Sequence, residues 1–241
     1  MDSAVNFVRQ NARFESAEWL PSLNALIPLA AYFERHPKIA RDVEVGLLRW
    51  FYVASLRGRY SGSPETAMDE DLKAVASDEP IQGLMKNLGP VAALEITADE
   101  FDDAGWRNPL FPMTYALARK RGAADWFRGI ALGTDVVGEE QSIQVHHIFP
   151  KALLKEVGVS RKDRDEIANL AFLAAKPNRQ ISRRPPEQYL PEIAERHPDR
   201  LTAQCIPMDR TLWRVENFDK FLAARRELLA GGLNELIRIP V

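Results

Sequence analysis

The chain has 241 residues, 46% of them hydrophobic and 27% charged, a balance typical of globular proteins and unlike that of disordered, collagen-like or disulfide-stapled chains. At roughly 100 to 200 residues per domain the length suits one large domain or two small ones in close association, and no run approaches the roughly 18 consecutive apolar residues that span a bilayer. The single cysteine, Cys205, excludes an internal disulfide and a paired-cysteine zinc knuckle, so any metal must be held by nitrogen and oxygen.

The net charge of -2 hides a segregation along the chain. Residues 62–103 carry eleven acidic side chains against Lys73 and Lys86, a poor surface for a polyanion. Residues 151–184 carry nine basic side chains against Glu156, Asp163, Asp165 and Glu166, and a phosphate backbone would be met there. On charge alone both stretches read equally well as solvated faces.

In chain order, residues 1–13 alternate polar and apolar side chains without a signal-peptide core, so the protein is expected to be unexported and cytoplasmic. Residues 20–34 and 43–56 place apolar side chains three and four apart, which predicts two helices separated at His36-Pro37, with Trp50, Phe51 and Tyr52 in the core. A loop over 58–64 leads to a third helix over 65–76, started by Ser63 or Pro64, and residues 108–121 predict another. The pattern then changes. Residues 142–149 alternate and break at Pro150, which suits a short half-buried strand, and the apolar run 169–174 has the length of its hairpin partner. The loop of about twenty residues between them, with a helix predicted over 152–157, has the length of a functional loop. A short helix begins after residues 176–179 and ends before Pro185-Pro186. Helices follow over 187–195 and 215–229, with Gly231-Gly232 separating a last segment over 233–238.

The chemistry concentrates in His146, His147, Pro150, Asn169 and Asn178. Successive side chains on a strand point to opposite faces, so adjacent histidines serve one site only where the strand ends and the backbone turns. Asn169 opens the second strand and Asn178 lies at the start of a helix, an order that predicts all four side chains around one cavity. Taken singly, each has a plain structural reading: the histidines as hydrogen-bonded polar neighbours, the asparagine near proline as a turn residue.

His146-His-Ile-Phe-Pro150, then Asn169 opening an apolar strand, then Asn178 on a helix, resembles the HNH, or His-Me finger, nuclease motif. More specifically, the chain resembles the C-terminal region of Gmr-type modification-dependent restriction enzymes of bacteria. The likeness extends to Leu47-Leu-Arg-Trp-Phe-Tyr52, Arg59-Tyr-Ser-Gly-Ser63, Asn178-Arg-Gln-Ile-Ser182 with Pro185-Pro186, and the ending around Trp213 and from Phe218 to Leu229. It implies a mainly α protein with an embedded ββα-metal motif: a helical domain over 1–125, the nuclease region over 126–195, and C-terminal helices over 196–241 packing on the body.

The resemblance also implies roles. His147 is the general base and Asn169 braces the loop and helps orient its imidazole. His146, where relatives often carry aspartate, and Asn178 hold one divalent metal ion, Mg2+ or Mn2+ foremost, with Ni2+ or Zn2+ also suited to an imidazole ligand. Exchanging the two histidine roles would break the His-x-x-Pro register. Lys151, Lys176, Arg179, Arg183 and Arg184 flank the site and are expected to contact DNA phosphates; for each, a surface ion pair to Glu156 or Glu187 is the structural reading. The implied activity is hydrolysis of foreign or modified DNA, by nicking or cutting, to 5′-phosphate and 3′-hydroxyl ends in phage defence. No glycine-rich phosphate loop with its lysine occurs, so the resemblance implies a C-terminal fragment or separate nuclease subunit working with an N-terminal nucleotide-hydrolysing domain. No membrane partner is expected, and homo-oligomerisation stays open. Two other readings stand beside this one: a non-catalytic DNA- or protein-binding module of the same fold, and a helical interaction module whose histidine pair is structural.

Overall fold

The computed structural model describes residues 1–90, 94–133 and 143–238. It is mainly helical with one small two-stranded sheet. The chain divides into two compact units, Met1–Ile96 with Leu233–Val241, and Thr97–Gly232, whereas the sequence placed its breaks after residues 125 and 195.

The first unit contains α1 (Asp2–Asn11), α2 (Leu26–Arg35), α3 (Arg41–Leu56), α4 (Glu65–Val75) and α5 (Pro80–Asn87). Trp50, Phe51 and Tyr52 on α3 are buried as expected, and Phe14 meets Phe51 edge to face at 6.1 Å. A Cβ at Gly46 would lie 2.6 Å from Ile81 Cγ2, so only glycine permits this approach of α3 to α5. The sequence reading omitted α1 and α5. On α1, Ala4, Phe7 and Val8 are buried at helical spacing, and Pro80 supplies the pre-set first turn of α5.

The second unit carries the hairpin. It holds α6 (Leu110–Lys120), β1 (Ile143–His147), α7 (Lys151–Glu156), α8 (Arg161–Arg164), β2 (Leu170–Ala174), α9 (Ala175–Ile181), α10 (Pro186–Arg196) and α11 (Pro198–Thr202). Strands β1 and β2 pair antiparallel, with His146 opposite Ala171 and His147 opposite Leu170. Ser142, where the sequence begins this strand, lies outside the described residues. All of β2 is buried. Phe172 packs against Phe111 at 5.5 Å and Tyr115 at 5.3 Å. The Gln204 carboxamide meets its backbone N–H and C=O at 2.8 and 2.9 Å, which covers a strand edge that would otherwise be open. Buried Arg225 donates to the carbonyls of Ala168 and Gln204, fixing the approach to β2.

The last helix, α12 (Phe218–Ile237), runs through Gly231 and Gly232 without the expected separation. A Cβ at Gly232 would meet Leu117 Cδ2 at 2.6 Å, so this glycine marks close helix contact and not a break. Phe218 and Phe221 at the start of α12 pack edge to face on Phe149, anchoring the loop that follows β1.

Candidate functional site

Strand alternation puts Gln144 and His146 on one face of β1 and Val145 and His147 on the other. His146 is 3% exposed. Its Nδ1 lies 2.8 Å from Oδ1 of Asn178 on α9, and Asn178 Nδ2 donates to Gln144 Oε1 at 2.9 Å. Trp126 and Tyr189 wall the imidazole edge-on and stack on one another. The Tyr189 hydroxyl donates to the Ile148 carbonyl at 2.9 Å, and its oxygen stands 3.4 Å from His146 Nε2. A backbone carbonyl only accepts, so the phenol's single proton is committed there. The contact with Asn178 is much the shorter, and a carboxamide oxygen only accepts, so Nδ1–H donates to Asn178 Oδ1 and the ring lone pair falls on Nε2, beside the Tyr189 oxygen.

A cation held by both Nδ1 and Oδ1 would require that proton to move to Nε2, where the Tyr189 oxygen could accept it. Burial pushes the His146 imidazole down to about 4, against a raising effect of the Asn178 contact, so it is neutral near pH 7. A neutral imidazole is the form that binds a metal.

His147 closes β1 and is partly exposed. Its Nε2 lies 3.1 Å from Asp165 Oδ1, which Lys151 Nζ approaches at 2.5 Å, while Arg161 Nε lies 3.7 Å from Oδ2. Burial holds His147 below the ordinary histidine value; Lys151 adds to the lowering and Asp165 opposes it. Burial raises the Asp165 carboxyl, but Lys151 and His147 outweigh it and leave the group below the usual carboxylate range. Near neutrality the pair is therefore imidazole and carboxylate.

Asn169 is fully buried. Its Oδ1 accepts from the Phe149 N–H at 2.9 Å, and its Nδ2 donates to the carbonyls of Phe149 and Arg164 at 3.2 and 3.0 Å. It clamps the loop after His147 and makes no bond to the ring itself. The expected meeting of four side chains in one cavity is thus replaced by a pair and two separate contacts. His146 and Asn178 touch, His147 turns to Asp165, and Asn169 acts on the backbone. The pleat of β1 is the reason, since it sends the two imidazoles to opposite faces even at the strand end.

Among the described residues no group of three or more His, Cys, Asp or Glu gathers in a way that could hold a metal. The available donor pair is one imidazole and one carboxamide. Ligands bound at about 2.1 Å and at right angles around one cation lie about 3 Å apart. The spacing of 2.8 Å between Nδ1 and Oδ1 fits such a pair, with water left to complete the shell.

The expected phosphate contacts divide. Lys151 is paired with Asp165, and Arg184 is exposed and donates to the Gln188 carbonyl. Lys176 lies half-buried on α9. Arg179 and Arg183 are exposed, with no ion pair among the described residues.

Sequence reasoning gave no site role to Gln144, Asp165, Trp126 or Tyr189. Gln144 was within reach, because it stands two residues before His146 and shares its face. The other three come from a loop and from segments whose proximity is tertiary.

No family model matches the chain. It is 23% identical over 185 residues to an uncharacterized protein of Methanocaldococcus jannaschii. That match takes in 74% of this chain and 30% of the relative, so the chain spans about 30% of the length of the relative it matches.

Proposed function

We propose that the chain is a metal-dependent DNA endonuclease of the HNH type. The observation that carries this reading is the meeting of His146 Nδ1 and Asn178 Oδ1 at 2.8 Å, beside a second histidine at the end of the same strand. The antiparallel hairpin followed directly by α9 supports it, as does the Asn169 clamp on the intervening loop.

In this reading His146 and Asn178 hold one divalent cation, Mg2+ or Mn2+ foremost, with Ni2+ or Zn2+ as softer alternatives. A cation bound there supplies positive charge to the scissile phosphate and the leaving 3′ oxygen. For His147, neutral near pH 7, to take the proton of the attacking water, the phosphate must reach past the end of β1, because His147 stands on the face opposite His146. Asn169 keeps the loop after His147 in place, and Tyr189 and Trp126 wall the His146 ring. Arg179 and Arg183, free of ion pairs among the described residues, contact the DNA backbone and set position without reading sequence. The biological setting we propose is cleavage of foreign or modified DNA in bacterial phage defence, with a nucleotide-hydrolysing domain or subunit as partner.

The test is nicking of supercoiled plasmid across a panel of Mg2+, Mn2+, Ni2+ and Zn2+. Wild-type protein is expected to produce nicked circles, and His147→Ala to lose roughly 10²- to 10⁴-fold in rate while still binding metal by calorimetry. His146→Ala and Asn178→Ala are expected to lose the metal. DNA binding without nicking in any cation would identify a non-catalytic module of the same fold and overturn the proposal.

A further inference from the structure

Asp165 is held more firmly than its place in a long loop suggests. It ends α8, where its N–H donates to the Arg161 carbonyl at 3.1 Å, and Ser160 caps the start of that helix. The next residue, Glu166, pairs with Gly105 in a β-bridge and takes two bonds from Arg226 at 2.7 and 2.6 Å. Ile167 N–H donates to the Ala104 carbonyl at 2.8 Å. The carboxylate itself is paired with Lys151, with the exposed Arg161 guanidinium 3.7 Å away. It is therefore presented to His147 by a fixed frame.

We propose that Asp165 is a positioning residue that holds His147 as its Nε2–H tautomer and leaves Nδ1 as the proton acceptor, an inference that rests on the nuclease reading above. A carboxylate only accepts hydrogen bonds, so its contact with Nε2 at 3.1 Å requires the ring proton on that nitrogen. The lone pair is then on Nδ1, which has no hydrogen-bond partner among the described residues. As the oxygen of the attacking water bonds to phosphorus and the bond from phosphorus to the 3′ oxygen breaks, the water's proton passes to Nδ1. The leaving oxygen takes its proton from solvent. The resulting imidazolium then faces the Asp165 carboxylate, which stabilises it as it forms. A competing role for the same carboxylate is to block the site by occupying the place of a phosphate oxygen between His147 and Lys151, and the experiment separates the two.

Ring 15N shifts of His147 in the metal-free full chain read the tautomer directly. Wild type is expected to show a protonated Nε2 and a bare Nδ1. In Asp165→Asn the carboxamide can offer its NH2 to Nε2, and the proton is expected to move at least partly to Nδ1, with the backbone amide spectrum of the same sample reporting the fold. In plasmid nicking, Asp165→Asn is expected to lower kcat roughly 10- to 100-fold, as second-layer changes do, at nearly constant KM, with Asp165→Glu restoring part of the rate. An unchanged tautomer in Asp165→Asn and Asp165→Ala would overturn the proposal. So would faster nicking at lower KM in Asp165→Ala, which would make the carboxylate a blocking group. Wild-type protein whose tautomer follows Asp165 but which nicks nothing would leave the positioning role standing and remove the nuclease reading instead.

Discussion

Each unit buries a polar cluster, and the two clusters are built to opposite rules. In the first, fully buried Asp71 takes a bidentate grip from Arg59 Nε and NH2 at 2.7 and 2.9 Å, a bond from Asn87 Nδ2 at 2.9 Å, and another from the Tyr60 hydroxyl. Charge is matched and the carboxylate's acceptor capacity is used. In the second, buried His146 is neutral, its Nδ1 bonded to the Asn178 carboxamide oxygen at 2.8 Å and its Nε2 meeting only the Tyr189 oxygen at 3.4 Å. A saturated buried network specifies packing, whereas one with acceptor capacity left over keeps room for a ligand. Arg59, Tyr60 and the rest of the Arg59-Tyr-Ser-Gly-Ser63 run therefore belong to the architecture of the first unit, and Gln144, His146 and Asn178 to the candidate site.

The sharpest way to break this comparison is to remove the centre of the saturated cluster. Asp71→Ala leaves the Arg59 guanidinium, whose side chain is 12% exposed, with only the exposed Glu70 carboxylate as charge partner and takes the acceptor from the Tyr60 hydroxyl and Asn87 Nδ2, and the expected loss is about 3 to 5 kcal/mol in urea unfolding. A loss below about 1 kcal/mol would place the two clusters in the same class.

The histidine cluster should respond to pH instead. The folded-state value of His146, about 4, lies below the 6.5 of an unperturbed histidine, so the unfolded chain binds the proton more readily. Its neutral burial adds full stability above pH 6.5, and that contribution is lost as pH falls toward 4, by roughly 3 kcal/mol in all. In metal-free protein the stability difference between wild type and His146→Gln is expected to narrow by that order across the window. A constant difference would mean that His146 does not titrate below the ordinary range.

The smallest effect concerns the surface. Arg179→Ala and Arg183→Ala are each expected to reduce the slope of log affinity for DNA against log salt by about 1, with thermal stability unchanged. Equal slopes would show that the phosphate footprint lies elsewhere.

Much of the fold was legible in spacing. Helices α3, α4 and α6 and both strands fall within a few residues of their expected positions, and α2 ends where expected but begins at Leu26 and not at residue 20; buried faces with periods of 3.6 and 2 mark them. The α1 helix was missed although Ala4, Phe7 and Val8 repeat at helical spacing, since a short amphipathic segment also satisfies a reading of alternation. The false break at Gly231-Gly232 has a different origin: a glycine lying against a neighbouring side chain inside a helix has the same letter as one that ends a helix.

The residues alone determined a mainly helical chain with one short hairpin, and they singled out two histidines and two asparagines as its densest chemistry. Tertiary structure decided which of these meet. Consecutive strand side chains diverge, so His146 went to Asn178 and His147 to Asp165. Tyr189 and Trp126, which wall His146, come from segments distant along the chain, and only the packing of the second unit brings them to it. Local periodicity reports which face of an element is buried; it does not report what that face is buried against.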